Sequence, residues 1–450
     1  MDIFINLLKR LEVDRAVMFA VLSKAWSLFA APITLILISF YLEPKIQGLY
    51  YTFLSLIALR VFLELGFCIV ITQFASHEWA SLSLDDSGSI SGDEKPRLRL
   101  ISLGHLVFKW YAWGSIVFVL LVGTAGYLFL SQSPNPDISW EGPWFALVLV
   151  AGLQFWIVPF LSILEGCGQV QTIYRFRFVQ GVIITLAIWL AMSFELELWM
   201  AVVGTGAGFV FSLYFLWVYY RKFFYPFFTV RSKEGVQWRE EVWSMQWRLA
   251  IYGIMYYFMY SMYTPIMFHY HGPELAGQMG MTWQLISALG SLAMAWLTTK
   301  APRFGVLVAQ KNYAELDRLF FRTSTISMGV ISLSAALLWL LVYGLNFYEY
   351  PLAQRLLPPL PVGLFAIGAV LWQISQCQAT YLRAHKQEPF WIFAIIYGIS
   401  NGILVWYLGS RFGAIGASLG YLLVMSMISV PLGSYIWFQC RKKWHACESH

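Results

Sequence analysis

The sequence predicts an all-α, polytopic membrane protein of about twelve transmembrane helices, arranged as two six-helix lobes around a central cavity. Three observations carry this expectation. Of the 450 residues, 59% are hydrophobic and only 12% charged, against about 25% charged in an ordinary soluble domain, so lipid is the solvent for most of the chain. Twelve apolar runs reach the length of about 20 residues needed to cross a hydrocarbon core about 30 Å thick. The basic residues segregate between alternate loops, as the positive-inside rule requires.

In chain order, Met1–Arg15 is polar and basic. The apolar run Ala16–Leu42 that follows is too long for a signal-peptide core and has no small-residue cleavage site, so it is expected to stay as the first span. Spans fall near 16–42, 46–72, 101–130, 143–165, 176–194, 199–220, 247–269, 277–299, 323–347, 360–381, 389–410 and 412–438. Runs this long and apolar lack the alternation of a barrel strand, and a backbone in lipid must bond to itself, so all are expected to be helices. Trp140, Trp144 and Trp199 stand where interfacial anchors belong. Pro32, Pro159 and Pro265 lie inside spans and remove backbone donors, as static kinks or as hinges. Asp85–Pro96, rich in Ser, Gly, Asp and Glu, reads as a flexible loop.

With twelve spans, one membrane face carries only Lys45, Arg355 and Arg411. Lys24, Arg60 and Lys109 fall inside spans, and the rest of the 30 basic residues collect on the other face. That face is therefore expected to be cytoplasmic, and both termini with it. A missed span would swap every later loop and destroy the split. The net charge of +6 is dispersed as topology signals, which argues against nucleic acid as a partner. Cys68, Cys167, Cys377, Cys440 and Cys447 have no metal-ligand spacing and read as small hydrophobes. His269, His271 and Glu274 cluster at the end of the seventh span without further ligands and read as a polar loop, so no metal and no cofactor is expected.

The two halves echo one another in order. Pro32 and then Glu43-Pro44-Lys45-Ile46-Gln47-Gly48-Leu49-Tyr50 correspond to Pro265 and then Gly272-Pro273-Glu274-Leu275-Ala276-Gly277-Gln278-Met279. Leu164–Gln169 corresponds to Leu382–Gln387, and Ala201–Gly206 to Ala414–Ala417. Six spans per copy is an even number, so the copies share one orientation. The expected division is an N-terminal lobe at 1–220, a cytoplasmic linker at 221–246, a C-terminal lobe at 247–438 and a tail at 439–450. The linker mixes Trp238 and Trp243 with Arg and Lys, and reads either as a surface helix or as a plain connector.

The residues Ala30-Ala31-Pro32, Gln47-Gly48-Leu49-Tyr50-Tyr51, Glu64-Leu65-Gly66-Phe67, Gln73-Phe74-Ala75-Ser76 and Gly277-Gln278-Met279-Gly280-Met281-Thr282 resemble the polysaccharide or O-antigen-type flippases. These belong to the multidrug/oligosaccharidyl-lipid/polysaccharide (MOP) exporter superfamily. The resemblance implies two six-helix bundles that alternate access for a polyprenyl-pyrophosphate-linked glycan in a bacterial inner membrane. It also implies H⁺ or Na⁺ as a coupling ion, and polysaccharide assembly proteins and membrane lipid as partners. Such flippases use cavity cations for anionic lipid-linked substrates, which draws attention to Arg60 and Lys24.

A charge inside a span costs at least a few kcal/mol, so intramembrane charges are the default functional candidates. Arg60 lies midway along the second span, with Glu64 one turn later on the same face. The two are read either as an internal ion pair or as an Arg60 that faces the cavity and meets pyrophosphate, for which a guanidinium fork is well shaped. Lys24 on the first span would add a second positive charge, or would snorkel to the cytoplasmic face, as Lys109 is expected to do. A glycosyltransferase or polymerase would need acidic residues on a large outer loop, and the outer loops are short. An ATP-driven pump would need a Gly-x-x-x-x-Gly-Lys-Ser/Thr loop, and the sequence has none. The chain is therefore expected to be a transporter and not an enzyme. An ion-coupled multidrug or small-molecule exporter is the alternative, for which Glu64 and Glu165 are the carboxylates available for coupling.

Overall fold

The computed structural model describes residues 15–85, 88–132, 138–230, 243–385 and 389–446. Among the described residues the fold is all-α apart from one short hairpin. Among the described residues, nine helices are long and apolar enough to cross a membrane. The last of these, Trp391–Trp444, would be about 80 Å long if straight, but it folds at Gly413 (φ 59°, ψ −140°). A side chain is disfavoured at that φ. The fold makes two crossings of the segment, at the junction expected between the spans at 389–410 and 412–438. The seventh and eighth expected spans, described below, are not among those nine.

The chain clusters into two compact units, residues 1–41 with 57–253 and residues 42–56 with 254–450. The first turns of the second span therefore group with the C-terminal half, which differs from a lobe boundary drawn along the sequence at 220. The expected linker also differs, because residues 221–229 continue the sixth membrane helix and a new helix begins at Trp243. Residues 231–242 lie outside the described residues, as do Cys447 and the first fourteen residues of the chain.

In the first unit, α1 (Arg15–Tyr41) runs unbroken through Pro32. It packs along α7 (Val170–Ser193), where the Trp26 indole donates to Thr185 Oγ1 at 3.4 Å and the Trp189 indole to Thr34 Oγ1 at 2.8 Å. The second span opens as α2 (Pro44–Ile57), which as far as Leu56 belongs to the second unit, passes through a 3₁₀ turn at Ala58–Arg60 into α3 (Val61–Glu64), and resumes as α4 (Phe67–Trp79). Beyond it, Leu82–Leu84 (β1) and Ile90–Gly92 (β2) pair antiparallel with Leu82 opposite Gly92. The stretch expected to be a flexible loop thus begins as a hairpin, because Leu82 and Ile90 are buried. Asp85 Oδ1 also accepts the Ser89 N–H at 2.8 Å to close the turn.

Helices α5 (Glu94–Leu130), α6 (Glu141–Gly166) and α8 (Trp199–Thr229) complete this unit. Its core is aromatic, with Phe108 stacked on Phe160 at 4.0 Å between centroids and Phe224 edge-on to Phe160 at 5.1 Å. Where α5 meets α6, Trp144 fills the space over Gly126 and its indole N–H donates to the Gly123 carbonyl at 3.0 Å.

The expected seventh span is split into α9 (Trp243–Tyr260), which clusters with the first unit as far as Gly253, and α10 (Tyr263–His271) in the second unit. Pro265 explains the split. It stands in the first turn of α10, has no N–H to give to the Ser261 carbonyl, and its ring crowds that oxygen. Pro265 therefore begins a helix here and does not bend one. Asn401, fully buried, bridges the break by donating to the Phe258 carbonyl at 2.9 Å while pairing with the Tyr263 hydroxyl. Next come α11 (Pro273–Ala309), α12 (Tyr313–Phe347), a 3₁₀ turn at Pro351–Arg355, α13 (Pro359–Ala384), α14 (Trp391–Val424) and α15 (Val430–Ala446). A five-residue π turn, Met425–Ser429, joins the last two. Buried Gln373 donates to Ser327 Oγ at 2.7 Å, and Ser327 donates to the Ala293 carbonyl at 2.7 Å, so one polar chain ties α13, α12 and α11 together.

Candidate functional site

The break in the second span positions the sequence-predicted charges. Leu65 (φ 48°) and Gly66 (φ 70°) are both left-handed, a conformation that costs a non-glycine residue about 1–2 kcal/mol. A Cβ on Gly66 would stand 2.6 Å from the Leu249 Cβ, so glycine is required there for space as well as for φ. Breaking the helix frees backbone carbonyls, and one of them, Leu63 O, accepts the Trp110 indole N–H at 3.3 Å. Beyond the break α4 lies tightly on α6, where a Cβ on Gly166 would stand 2.5 Å from the Thr72 carbonyl and Thr72 Oγ1 donates to the Ser162 carbonyl at 3.3 Å.

Arg60 ends the 3₁₀ turn and is exposed, whereas Glu64 is half-buried. The Arg60–Glu64 ion pair read from i,i+4 spacing is not among the ion pairs formed by the described residues; Glu64 bonds instead to the Cys68 thiol, and Arg60 has no hydrogen-bond partner among the described residues. The tighter 3₁₀ winding at Ala58–Arg60 carries Arg60 off the face that α-helical spacing would give it. What the break brings together is a four-residue cluster. The Glu64 carboxylate lies close to the Cys68 thiol and the Tyr111 hydroxyl, and the Arg60 guanidinium lies close to Tyr111. Cys68 Sγ and Tyr111 Oη are 3.4 Å apart.

Cys68 and Tyr111 were not legible as site residues. The only signal was that Cys68 stands one turn after Glu64. Lys24 is exposed on α1, whose partner is α7, and no bond joins it to Arg60 or Glu64 among the described residues. Pro32 is exposed within α1, and Pro159 is buried within α6. His271, read as part of a polar loop, is held by its Nε2 at 2.8 Å from the Gly409 carbonyl. Among the described residues, no three His, Cys, Asp or Glu side chains gather as metal ligands.

A second polar cluster lies in the second unit, where α2 meets α11. Gln47, 1% exposed, donates to the carbonyls of Gly277 (2.9 Å) and Arg355 (3.2 Å) and accepts from Arg355 Nη1 at 3.4 Å. Partial burial lowers the pKa of Arg355 from its ordinary value, and nearby Glu43 opposes that shift. Gly48 and Gly277, corresponding positions of the sequence repeat, pack backbone to backbone. A Cβ on Gly48 would fall 1.8 Å from the Pro273 oxygen, and one on Gly277 2.9 Å from the Gly48 nitrogen.

No family model and no curated protein matches the sequence. Solved structures do match it along nearly its whole length. The lipid II flippase MurJ in an inward closed conformation aligns with a TM-score of 0.61 at 12% identity, over 94% of this chain and 87% of that one. The fold is one seen in solved membrane transporters. An inward-facing multidrug resistance MATE family transporter of the MOP superfamily aligns with a TM-score of 0.58 at 12% identity, over 89% of this chain and 94% of that one. The Vibrio cholerae MATE transporter VcmN aligns with a TM-score of 0.57 at 13% identity, over 97% and 98% of the two chains. The protein is accordingly a multi-pass membrane protein with a fold shared by transporters and flippases.

Proposed function

We propose that the protein is a flippase that moves a polyprenyl-pyrophosphate-linked oligosaccharide from the cytoplasmic to the outer leaflet of a bacterial inner membrane by alternating access. The observation that carries this reading is Arg60, an exposed cation with no hydrogen-bond or ion-pair partner among the described residues, at a break in a membrane helix. A lone guanidinium in a span is costly unless it lines a pathway or meets an anion. Its planar fork suits a pyrophosphate better than an ammonium does. Discontinuous membrane helices are where transporters of other folds place their substrates, and one neighbour of the same fold is a lipid II flippase. The glycan would then pass on to the proteins that assemble surface polysaccharide.

The second reading is an ion-coupled exporter of small molecules. It is favoured by the Glu64–Cys68–Tyr111 cluster at the same break, since a half-buried carboxylate beside a thiol and a phenol is suited to a proton or a sodium ion. The experiment that separates the two is mass spectrometry of polyprenyl lipids from cells with and without the protein, combined with labelling of the glycan by a probe added outside. Accumulation of a shielded, cytoplasm-facing polyprenyl-pyrophosphate glycan in the deletion supports the flippase. Unchanged pools and sidedness, with lost resistance to a toxic cation, would establish the exporter.

A further inference from the structure

Where α12 ends and α13 begins, a polar pocket of about 410 Å³ opens among Gln278, Asn346, Glu349, Tyr350 and Gln354, within the range of about 300–1,000 Å³ typical of small-ligand sites. By the span order this is the outer face. Its bonding inventory is unbalanced. Gln278 uses one amide N–H on the Gln354 carbonyl at 3.0 Å, and Asn346 one of its own on the Val342 carbonyl at 2.9 Å, so each keeps a side-chain oxygen and a second N–H without a partner among the described residues. The Glu349 carboxylate and the Tyr350 hydroxyl are exposed and have no partner among the described residues. The pocket is thus lined by unspent amide groups, one carboxylate and one aromatic ring.

The backbone holds Glu349 in place. It sits just past the end of α12 with φ 51°, while Tyr350 N–H reaches back to the Leu345 carbonyl at 2.9 Å and Glu349 N–H to Asn346 at 3.2 Å. This is a helix C-terminus at which glycine is the favoured residue. Glu195 and Lys311 occupy the same position after other helices, so the conformation alone does not single out Glu349. Its place on the pocket wall does.

We propose that this pocket binds a saccharide on the outer face of the membrane. Sugar hydroxyls both donate and accept, and would pair with the unspent amide groups of Gln278 and Asn346 and with the Glu349 carboxylate. The C–H face of a pyranose would lie against Tyr350, 61% exposed. A metal ion is a poorer fit, because the pocket is far larger than a cation and offers one carboxylate. The inference rests on the flippase reading, in which the glycan emerges on this side.

The test is saturation-transfer NMR on the full-length protein in nanodiscs, using soluble di- to tetrasaccharides of neutral, amino-sugar and uronic-acid type. Glu349→Gly keeps, and indeed favours, the helix terminus while removing the carboxylate, so it separates binding from folding; Tyr350→Ala removes the platform. The expected result is transfer to at least one saccharide class, weakened about tenfold or more in either variant. No transfer to any class, or transfer untouched by both variants, overturns the pocket assignment, as does Ca²⁺ binding that is lost with Glu349→Gly in place of saccharide binding. The flippase reading fails separately, on unchanged glycan sidedness in the deletion strain, whatever the nanodisc result.

Discussion

Replacing Gly48 with alanine is the most direct probe of the crossing between α2 and α11. The new Cβ would stand 1.8 Å from the Pro273 oxygen, 2.5 Å from its carbonyl carbon and 2.9 Å from its Cα. All three are backbone atoms, so no side-chain rotation relieves the clash. Restoring an ordinary C···O separation of about 3.3 Å requires one helix to move by about 1.5 Å. That shift stretches the 2.9 Å bond from Gln47 Nε2 to the Gly277 carbonyl past bonding distance. Overpacking of this kind costs about 1–3 kcal/mol, and the lost buried hydrogen bond about 1 kcal/mol more. The better helix propensity of alanine returns about 1 kcal/mol, which leaves a net loss of about 1–3 kcal/mol. Gly206 within α8 is the control, because a Cβ there meets nothing within 4 Å, and Gly206→Ala should stabilise by up to about 1 kcal/mol. The two substitutions are chemically identical and should have opposite signs. Thermal unfolding in detergent, followed by the fluorescence of the 21 tryptophans, reads the difference. Equal melting of the two variants, or a more stable Gly48→Ala, would refute the backbone-contact argument.

Arg60→Glu should abolish outward exposure of the lipid-linked glycan at normal protein levels, and Arg60→Lys should retain part of it; intact flipping in Arg60→Glu would remove that side chain from the pathway. Asn401→Leu should destabilise by about 1–3 kcal/mol, because it orphans the Phe258 carbonyl and the Tyr263 hydroxyl in the core; an unchanged melting temperature would show that water or backbone rearrangement takes over. Asp317 accepts from the Tyr381 hydroxyl at 2.9 Å and is gripped by Arg441 through both Nε and Nη2, so Asp317→Asn should loosen α15 from α12 and α13. Limited proteolysis near Arg441 checks this, with faster cleavage expected and an unaltered rate counting against the clasp.

The helices were legible because length and apolarity are additive along a chain, and additive quantities survive without knowledge of the fold. The breaks were not. Hydropathy is blind to φ, so a run such as 46–72 reads as one helix although Leu65 and Gly66 reverse the backbone within it. The hairpin after α4 was hidden for the opposite reason, since two buried residues, Leu82 and Ile90, suffice to order a stretch whose average composition is that of a loop. Among the candidate site residues, the intramembrane charges could be found by their cost alone. Their neighbours Cys68 and Tyr111 are inexpensive in lipid and emit no such signal. Gln47 stood in a motif that drew attention, but that its amide spans two carbonyls, Gly277 and Arg355, depends on a contact between segments more than two hundred residues apart.

The repeat is kept where the copies meet and lost where chemistry is proposed. Gly48 and Gly277 correspond in sequence and touch in space, as a close crossing of equivalent helices demands. Pro32 and Pro265 also correspond, yet α1 runs through the first while the chain breaks ahead of the second. A proline in lipid needs something to satisfy the backbone it disturbs, and at the second site buried Asn401 takes the exposed Phe258 carbonyl. Carrying the register of Gly48 and Gly277 forward aligns Arg60 with Leu289 and Glu64 with Ala293, and α11 passes those positions unbroken. A charge that the fold itself required would be needed in both copies. Arg60, Glu64 and the helix break occur together in one copy only, and that asymmetry is what a single anion-binding site on a duplicated scaffold would produce.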